Sequence, residues 1–234
     1  MHTPEMFRAR RSALLREVGS GLVLLPGNEE APMNYADNVY HFRQDSSFLY
    51  FTGIRLPHFA LLMDASTGGS ILFGQEPTID DIVWMGPQPL PDQLAEGAGI
   101  EKALPYEALG AHIASALASG RAVHYLPAYR GEQVMRLSGW LGKPVDEISA
   151  GASASLIQAV VRQRIVKSDA EIEEIGRAVD ITGRMHIAAM RQAREGMTEA
   201  ELAGLVEGIA VAGGGNLSYP VILTVNGHVL HNHQ

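Results

Sequence analysis

Residues 37–53 read DNVYHFRQDSSFLYFTG, and this stretch bears most directly on the fold. The apolar run Phe48–Phe51 follows several polar residues, and Gly53 supplies a turn signal directly after it. Short apolar runs bounded by turn residues are typical of buried strands. The stretch therefore predicts a strand over residues 48–51.

Similar apolar runs on both sides of this stretch predict further strands. They lie at residues 22–25, 59–63, 71–73, 82–85 and 122–126. Helices are predicted between and after the later runs, at residues 106–118 and 132–141. Strands and helices that share one segment in this way predict a mixed α/β domain, with a sheet flanked by helices.

A first helix is predicted at the N-terminus. Thr3 precedes Pro4 with the pattern of a helix cap, and Gly19 is placed to stop the helix. Its arginines, Arg8, Arg10 and Arg11, are expected on the outer face.

The character of the sequence changes near residue 150, where the small residues of Ser149–Ser153 predict a linker or helix entry. Two capping-box patterns follow, at Ser168 with Glu171 and at Thr198 with Glu201. Each predicts a long helix with one buried apolar stripe, the first running through residues 172, 175, 179, 182, 186 and 189. A β-hairpin is predicted at residues 221–231, with its turn at Asn226-Gly227.

Composition excludes several classes of protein. The 234 residues are 46% hydrophobic and 19% charged, so there is ample material for a core. The formal charge of −8 disfavours nucleic acid and anionic membranes as partners. Cysteine is absent, which excludes disulfides and thiol chemistry. The N-terminus is charged and amphipathic, and no later apolar run reaches membrane-spanning length, so a soluble, cytoplasmic protein is expected.

The quoted stretch resembles the signature of the aminopeptidase P N-terminal domain, a YxFRQDSxFxYxTG pattern, in the creatinase/prolidase type of metallopeptidase. RIVKS at 164–168 and GMTE at 196–199 resemble the opening helices of the catalytic pita-bread domain of that family. SYP at 218–220 and LHN at 230–232 resemble its first hairpin. The resemblance covers essentially the whole chain.

The resemblance implies an Xaa-Pro aminopeptidase, which releases the N-terminal residue from peptides with proline second. It implies two divalent metal ions, usually manganese, whose bridging hydroxide attacks the scissile carbonyl. The family's metal ligands are two aspartates, one histidine and two glutamates downstream of Leu230-His231, so no residue here is assigned as a metal ligand. The chain alone is therefore expected to be inactive, and a homo-oligomer is expected for the family.

Two residues are candidates for the site. His231 matches the family histidine that contacts the substrate carbonyl or its tetrahedral intermediate, so it is assigned catalytic and substrate-binding roles. Trp84, within VWMG at 83–86, matches a segment that in some bacterial members approaches a neighbouring subunit's active site. The alternative for Trp84 is a core anchor, because indole buries a large apolar area. A metal site built from His228, His231 and His233 is disfavoured, since no clustered carboxylate follows.

The sequence thus predicts two domains: a creatinase-like α/β domain at 1–150, and a linker helix with the first part of an α+β pita-bread domain at 151–234.

Two functions other than Xaa-Pro aminopeptidase stay open. One is prolidase, which cleaves Xaa-Pro dipeptides with similar catalytic motifs. The other is a non-catalytic peptide- or protein-binding module, because fold alone does not fix function.

Overall fold

The computed structural model describes residues 3–229, and its contacts divide the chain into two compact units, 1–166 and 167–234. In the first unit the helices are α1 (Pro4–Val18), α2 (Ser46–Thr52), α3 (Ile79–Met85), α4 (Pro91–Gly97), α5 (Ala108–Ala118), α6 (Gly131–Leu141), α7 (Val145–Ala150) and α8 (Ala154–Ile165). Its strands are β1 (Leu22–Pro26), β2 (Phe59–Asp64), β3 (Ser70–Gly74), β4 (Lys102–Pro105) and β5 (Val123–Tyr125).

Within the described residues, the five strands form one mixed sheet in the order β4-β3-β2-β1-β5. The pairs β1–β2 and β2–β3 are antiparallel, whereas β1–β5 and β3–β4 are parallel. Both faces of the sheet are covered, because side chains that alternate along a strand enter two different cores. On β1, Val23 packs with α1, α2 and α8, while Leu24 packs with α5, α6 and α7. The predicted mixed α/β domain is confirmed.

Two predicted strands are helices. Residues 48–51 lie in α2, because Asp45 accepts hydrogen bonds from the backbone N–H groups of Ser47 and Phe48 and so caps a helix. Residues 82–85 lie in α3, which begins with a capping box between Thr78 and Asp81. Capping residues upstream of each run thus decided the conformation of apolar sequences that are too short to decide it themselves.

The first helix is confirmed with its predicted ends, capped by Thr3 and stopped at Gly19. The predicted outer face is wrong for Arg10 and Arg11, which are buried, and right for Arg8. Their guanidinium groups point inward because buried backbone carbonyls require donors there. Arg10 donates to the Tyr50 carbonyl at 2.9 Å and stacks over the Tyr50 ring, 3.9 Å from its centroid.

Arg11 joins three segments at one point. Its Nη1 donates to the carbonyls of Phe51 and Ala98, both at 2.9 Å, and its Nη2 donates to the Gly99 carbonyl at 2.6 Å. Burial, with a smaller contribution from the nearby charge of Arg8, lowers the pKa of Arg11 to about 10, so the group stays charged at neutral pH. Arg11 therefore fixes α1 against the end of α2 and the loop after α4.

The helix α8 belongs to the first unit. Leu156, Ala159 and Val160 lie in the core shared with α1 and α2. Gln163 donates to the Arg10 carbonyl at 2.8 Å, and Arg162 pairs with Glu17 at 2.7 Å. The predicted domain boundary near residue 150 stays a prediction, and the compact unit extends beyond it by this helix.

The second unit contains α9 (Asp169–Gln192) and α10 (Glu199–Ala212), which pack against each other. Both capping boxes form as predicted, at Ser168 and at Thr198. The predicted burial of the α9 stripe is wrong, since Ile172, Ile175 and Val179 are exposed. α10 uses Leu202, Val206 and Ala210 as its buried face.

The predicted hairpin at residues 221–231 is not formed as paired strands within the described residues. Gly227 has a φ of +67°, a conformation that suits a turn. The predicted partner strand lies partly in residues 230–234, which fall outside the described residues.

The first prediction concerns Arg11. Arg11→Met removes the guanidinium and leaves three carbonyls without that donor, so the free energy of unfolding should fall by at least about 1.5–3 kcal/mol. Arg8→Met is the matched control on the exposed face of the same helix, and it should change stability by no more than about 0.5 kcal/mol. Urea unfolding of both variants makes the comparison. Equal stability of the two variants would contradict the structural role of Arg11.

The second prediction concerns α8. Limited proteolysis should give a resistant fragment that ends near residue 166, where Val166 is exposed, because α8 is held by core contacts and by α1. Mass spectrometry of the fragment locates its end. A resistant fragment that ends near residue 150 would instead support the sequence-based boundary and contradict the packing of α8.

Candidate functional site

The short helix α3 presents an apolar surface to solvent. Thr78 caps its first turn, and the Asp81 carboxylate accepts hydrogen bonds from the Thr78 N–H and hydroxyl, both at 2.7 Å. None of the residues of α3 is buried. Trp84 is 85% exposed and Ile79 is 80% exposed. Exposed apolar groups of this kind mark binding surfaces.

The alternative assignment of Trp84, as a core anchor, is therefore wrong for this structure. The tryptophan lies on the surface, with Val83 and Met85 exposed beside it. Its role in substrate binding stays a prediction. The structure establishes that the indole is accessible.

One polar residue of the quoted stretch, Gln44, forms hydrogen bonds in the interior. Gln44 is buried, and its Oε1 accepts hydrogen bonds from the N–H groups of Asn28 at 2.6 Å and Asp45 at 2.8 Å. Its Nε2 donates to the Leu56 carbonyl at 2.8 Å. Asn28 is also buried and donates from its Nδ2 to the Arg43 carbonyl at 2.8 Å, while its Oδ1 accepts from Gln133 at 2.8 Å. This network ties the end of β1 to the segment before α2 and to α6.

A second polar cluster lies beside this network. The buried carboxylate of Glu29 forms ion pairs with His58 and Arg136, and the Glu29 carbonyl accepts from Arg130 at 2.7 Å. Arg136 also donates to the Tyr106 hydroxyl at 3.0 Å. Sequence analysis missed this cluster, because its members lie far apart in the chain and belong to no local motif.

The charges of this cluster stabilise one another. Burial opposes ionisation of Glu29, but hydrogen bonds from His58 and Arg136 outweigh it, so the pKa of Glu29 is lowered. The hydrogen bond to Glu29 raises the pKa of His58 above the ordinary value. Burial raises the pKa of Tyr106 to about 12, so its hydroxyl stays protonated.

His231 lies outside the described residues, so its predicted catalytic role stays a prediction. Within residues 3–229, no group of three or more His, Asp or Glu side chains is placed to hold a metal ion. These residues by themselves do not fit a metal centre. In the same part of the chain, no helix is both long and apolar enough to cross a membrane.

Comparison with protein families identifies the class. The family model for the aminopeptidase P N-terminal domain matches residues 7–124, and the model for metallopeptidase family M24 matches residues 173–234. An M24 metallopeptidase segment preceded by this α/β domain defines a creatinase-like metallopeptidase, a class that uses divalent metal ions. The chain belongs to the aminopeptidase P family.

Individual relatives support the same family assignment. The chain is 28% identical over 206 residues to an Xaa-Pro aminopeptidase of Escherichia coli, with 85% of this chain and 47% of the relative covered. It is 27% identical over 217 residues to a probable Xaa-Pro aminopeptidase of Aspergillus terreus, with 90% and 45% covered. The chain spans about half the length of the curated relatives it matches.

Solved structures have a similar fold over most of this chain and about half of their own length. The low-pH form of aminopeptidase P from E. coli matches with a TM-score of 0.76 and 25% identity, over 92% of this chain and 50% of that one. The aminopeptidase from Pseudomonas aeruginosa matches with a TM-score of 0.74 and 24% identity, over the same shares, and supports the fold alone. The fold that the family resemblance implied is confirmed.

The third prediction concerns Asp45 as a helix cap. Asp45→Ala removes the acceptor for two backbone N–H groups and should lower the free energy of unfolding by about 0.5–2 kcal/mol. Asp45→Asn keeps a side-chain oxygen and should retain most of the stability, because asparagine caps helices about as well as aspartate. Asp37→Ala, at an exposed position of the same stretch, is the control. Urea unfolding that shows equal losses for Asp45→Asn and Asp45→Ala would contradict a purely capping role.

Proposed function

We propose that the complete protein is an Xaa-Pro aminopeptidase, which releases the N-terminal residue from peptides whose second residue is proline. The observation that carries this proposal is the order of the two family matches, the aminopeptidase P N-terminal domain at 7–124 and metallopeptidase family M24 at 173–234. The named relatives add support, since the E. coli and fungal proteins are Xaa-Pro aminopeptidases by name.

Manganese is the proposed metal, as two ions. Because residues 3–229 do not fit a metal centre, the ligands are proposed to lie in the part of the family's catalytic domain downstream of residue 234. The 234-residue chain on its own is accordingly proposed to be inactive. A cytoplasmic location and the division into a creatinase-like N-terminal domain and the first part of a catalytic domain are proposed on the same family basis.

His231 is proposed to act on the substrate carbonyl. An imidazole N–H at this position can donate to the oxygen that becomes negative in the tetrahedral intermediate. This hydrogen bond stabilises the transition state more than the bound substrate, because the charge on that oxygen develops in the transition state.

Trp84 is proposed as a substrate contact, reached across a subunit boundary in a homo-oligomer. The support is its exposure of 85% on a helix whose other apolar residues also face solvent. An exposed indole on a capped helix offers a rigid apolar surface for a peptide side chain or proline ring.

The fourth prediction tests the function with a protein that carries this sequence and continues through the family's catalytic domain. With manganese, it should release the first residue from a tripeptide with proline second. The 234-residue chain alone should not. Activity on Xaa-Pro dipeptides but not on the tripeptide would favour prolidase, and absence of both activities with metal bound would favour a binding module.

In the same protein, His231→Ala should lower turnover by about 100- to 1,000-fold, the usual cost of losing an oxyanion donor. His228→Ala is the matched control, because His228 is an exposed histidine of the same segment. Steady-state kinetics, thermal unfolding and metal content are measured on the same samples. Near-normal turnover of His231→Ala with normal metal content would end the catalytic assignment.

A further inference from the structure

The turn at Asn226-Gly227 lies on the surface of the second unit. Both residues are exposed, and Gly227 has a φ of +67°. Apart from its neighbours in the chain, no described atom lies within 4 Å of the point where a Cβ of Gly227 would stand. Among residues 3–229, neither the Asn226 carboxamide nor the Gly227 N–H makes a hydrogen bond. The two groups are therefore adjacent and accessible.

An asparagine followed by glycine places a carboxamide beside an unhindered backbone nitrogen. The Asn226 Cγ and the Gly227 nitrogen can close a cyclic imide, and glycine has no Cβ to obstruct their approach. Asn216 is also exposed in the second unit, but Leu217 follows it and brings a branched side chain against the same approach. The sequence after the asparagine thus distinguishes Asn226 from Asn216.

We propose that Asn226 is a self-modification site, at which attack by the Gly227 nitrogen leads to conversion of the carboxamide into a carboxylate. In the first step a bond forms between the Gly227 nitrogen and the Asn226 Cγ. The bond from Cγ to the side-chain nitrogen breaks, and that nitrogen leaves as ammonia with the proton that Gly227 gives up. The product is a cyclic imide, and no atom is oxidised or reduced.

Water then opens the imide in either of two ways. Cleavage of the new bond gives an ordinary aspartate at this position. Cleavage of the original peptide bond gives an isoaspartate, whose backbone runs through the side chain and is longer by one carbon. Both products add a negative charge to a chain whose formal charge is already −8.

The new charge arises beside a hydrogen bond that holds this segment. The Val225 N–H donates to the Glu199 carboxylate at 2.6 Å, and Glu199 lies in the first turn of α10. A carboxylate at position 226 repels that of Glu199, because like charges raise each other's energy. The modification therefore weakens the contact between the segment and the start of α10. It goes beyond the proposed peptidase function and does not depend on it, because its co-reactant is water alone.

The first test follows the modification in the 234-residue chain. The chain is incubated in mildly alkaline buffer, which favours loss of the proton from the Gly227 nitrogen, and is then digested with trypsin. No Lys or Arg follows Arg194, so one peptide contains both Asn216 and Asn226, and tandem mass spectrometry separates the two positions. A sample digested without incubation gives the background.

Conversion should appear at Asn226 before Asn216, and it should be slower in mildly acidic buffer. Asn226→Gln should stop conversion at this position on the same time scale, because its longer side chain would have to close a larger ring. Equal rates at Asn226 and Asn216, or no conversion at Asn226, would overturn the proposal.

The second test measures the consequence for α10. Asn226→Asp reproduces one of the two products, and the Val225 amide hydrogen should then exchange with solvent faster, by up to about fivefold, as expected for exposed charges. Nuclear magnetic resonance follows this exchange. In a Glu199→Gln background, Asn226→Asp should leave the Val225 exchange unchanged, because no carboxylate remains there to be repelled. Unchanged exchange in Asn226→Asp with Glu199 present would refute the weakened contact.

Discussion

The first unit depends on the buried guanidinium group of Arg11. Helix α2 ends with its carbonyls inside the protein, and the loop after α4 turns its own carbonyls toward the same place. Buried carbonyls need donors. Arg11 meets this need with three hydrogen bonds from a single planar group, to Phe51, Ala98 and Gly99. These bonds hold α1 against the end of α2 and the loop after α4, and Leu14 of α1 packs in the same core as Val23 of β1.

The need to supply buried backbone groups with hydrogen-bond partners also explains polar residues in and beside the quoted stretch. Gln44 and Asn28 supply amides that both donate and accept, which suits a junction where backbone groups of both kinds lie buried. Asp45 begins α2, and Gly53 ends it in a left-handed conformation with its Cα against the Phe7 ring, where a Cβ would lie 2.4 Å from the ring. These residues are informative about family because they build its fold. The burial of Gln44 and Asn28 removes these two side chains from contact with a substrate.

The order of helices and strands could be predicted from the sequence where hydrophobic periodicity or capping residues were explicit. The ends of α1, the starts of α9 and α10, and the strands β1, β2 and β3 could all be predicted. Apolar runs of four residues could not be assigned, because a short helix and a buried strand share that pattern, and α2 and α3 were therefore predicted as strands. The burial of Arg10 and Arg11 could not be predicted either, since the carbonyls that attract them come from distant segments. The Glu29 cluster could not be predicted for the same reason, because the fold brings its members together from distant parts of the chain.

Exposure separates the residues that build this fold from those that can act on another molecule. Within the first unit, Gln44 of the quoted stretch is buried and hydrogen-bonded, whereas Trp84 and its neighbours on α3 are accessible. An apolar helix face left in water costs free energy, about 25 cal/mol for each Å² that could have been buried, so its retention indicates a use. The helix itself is stabilised locally by the Thr78–Asp81 box and owes little to the core. A segment with that balance can move without disturbing the sheet.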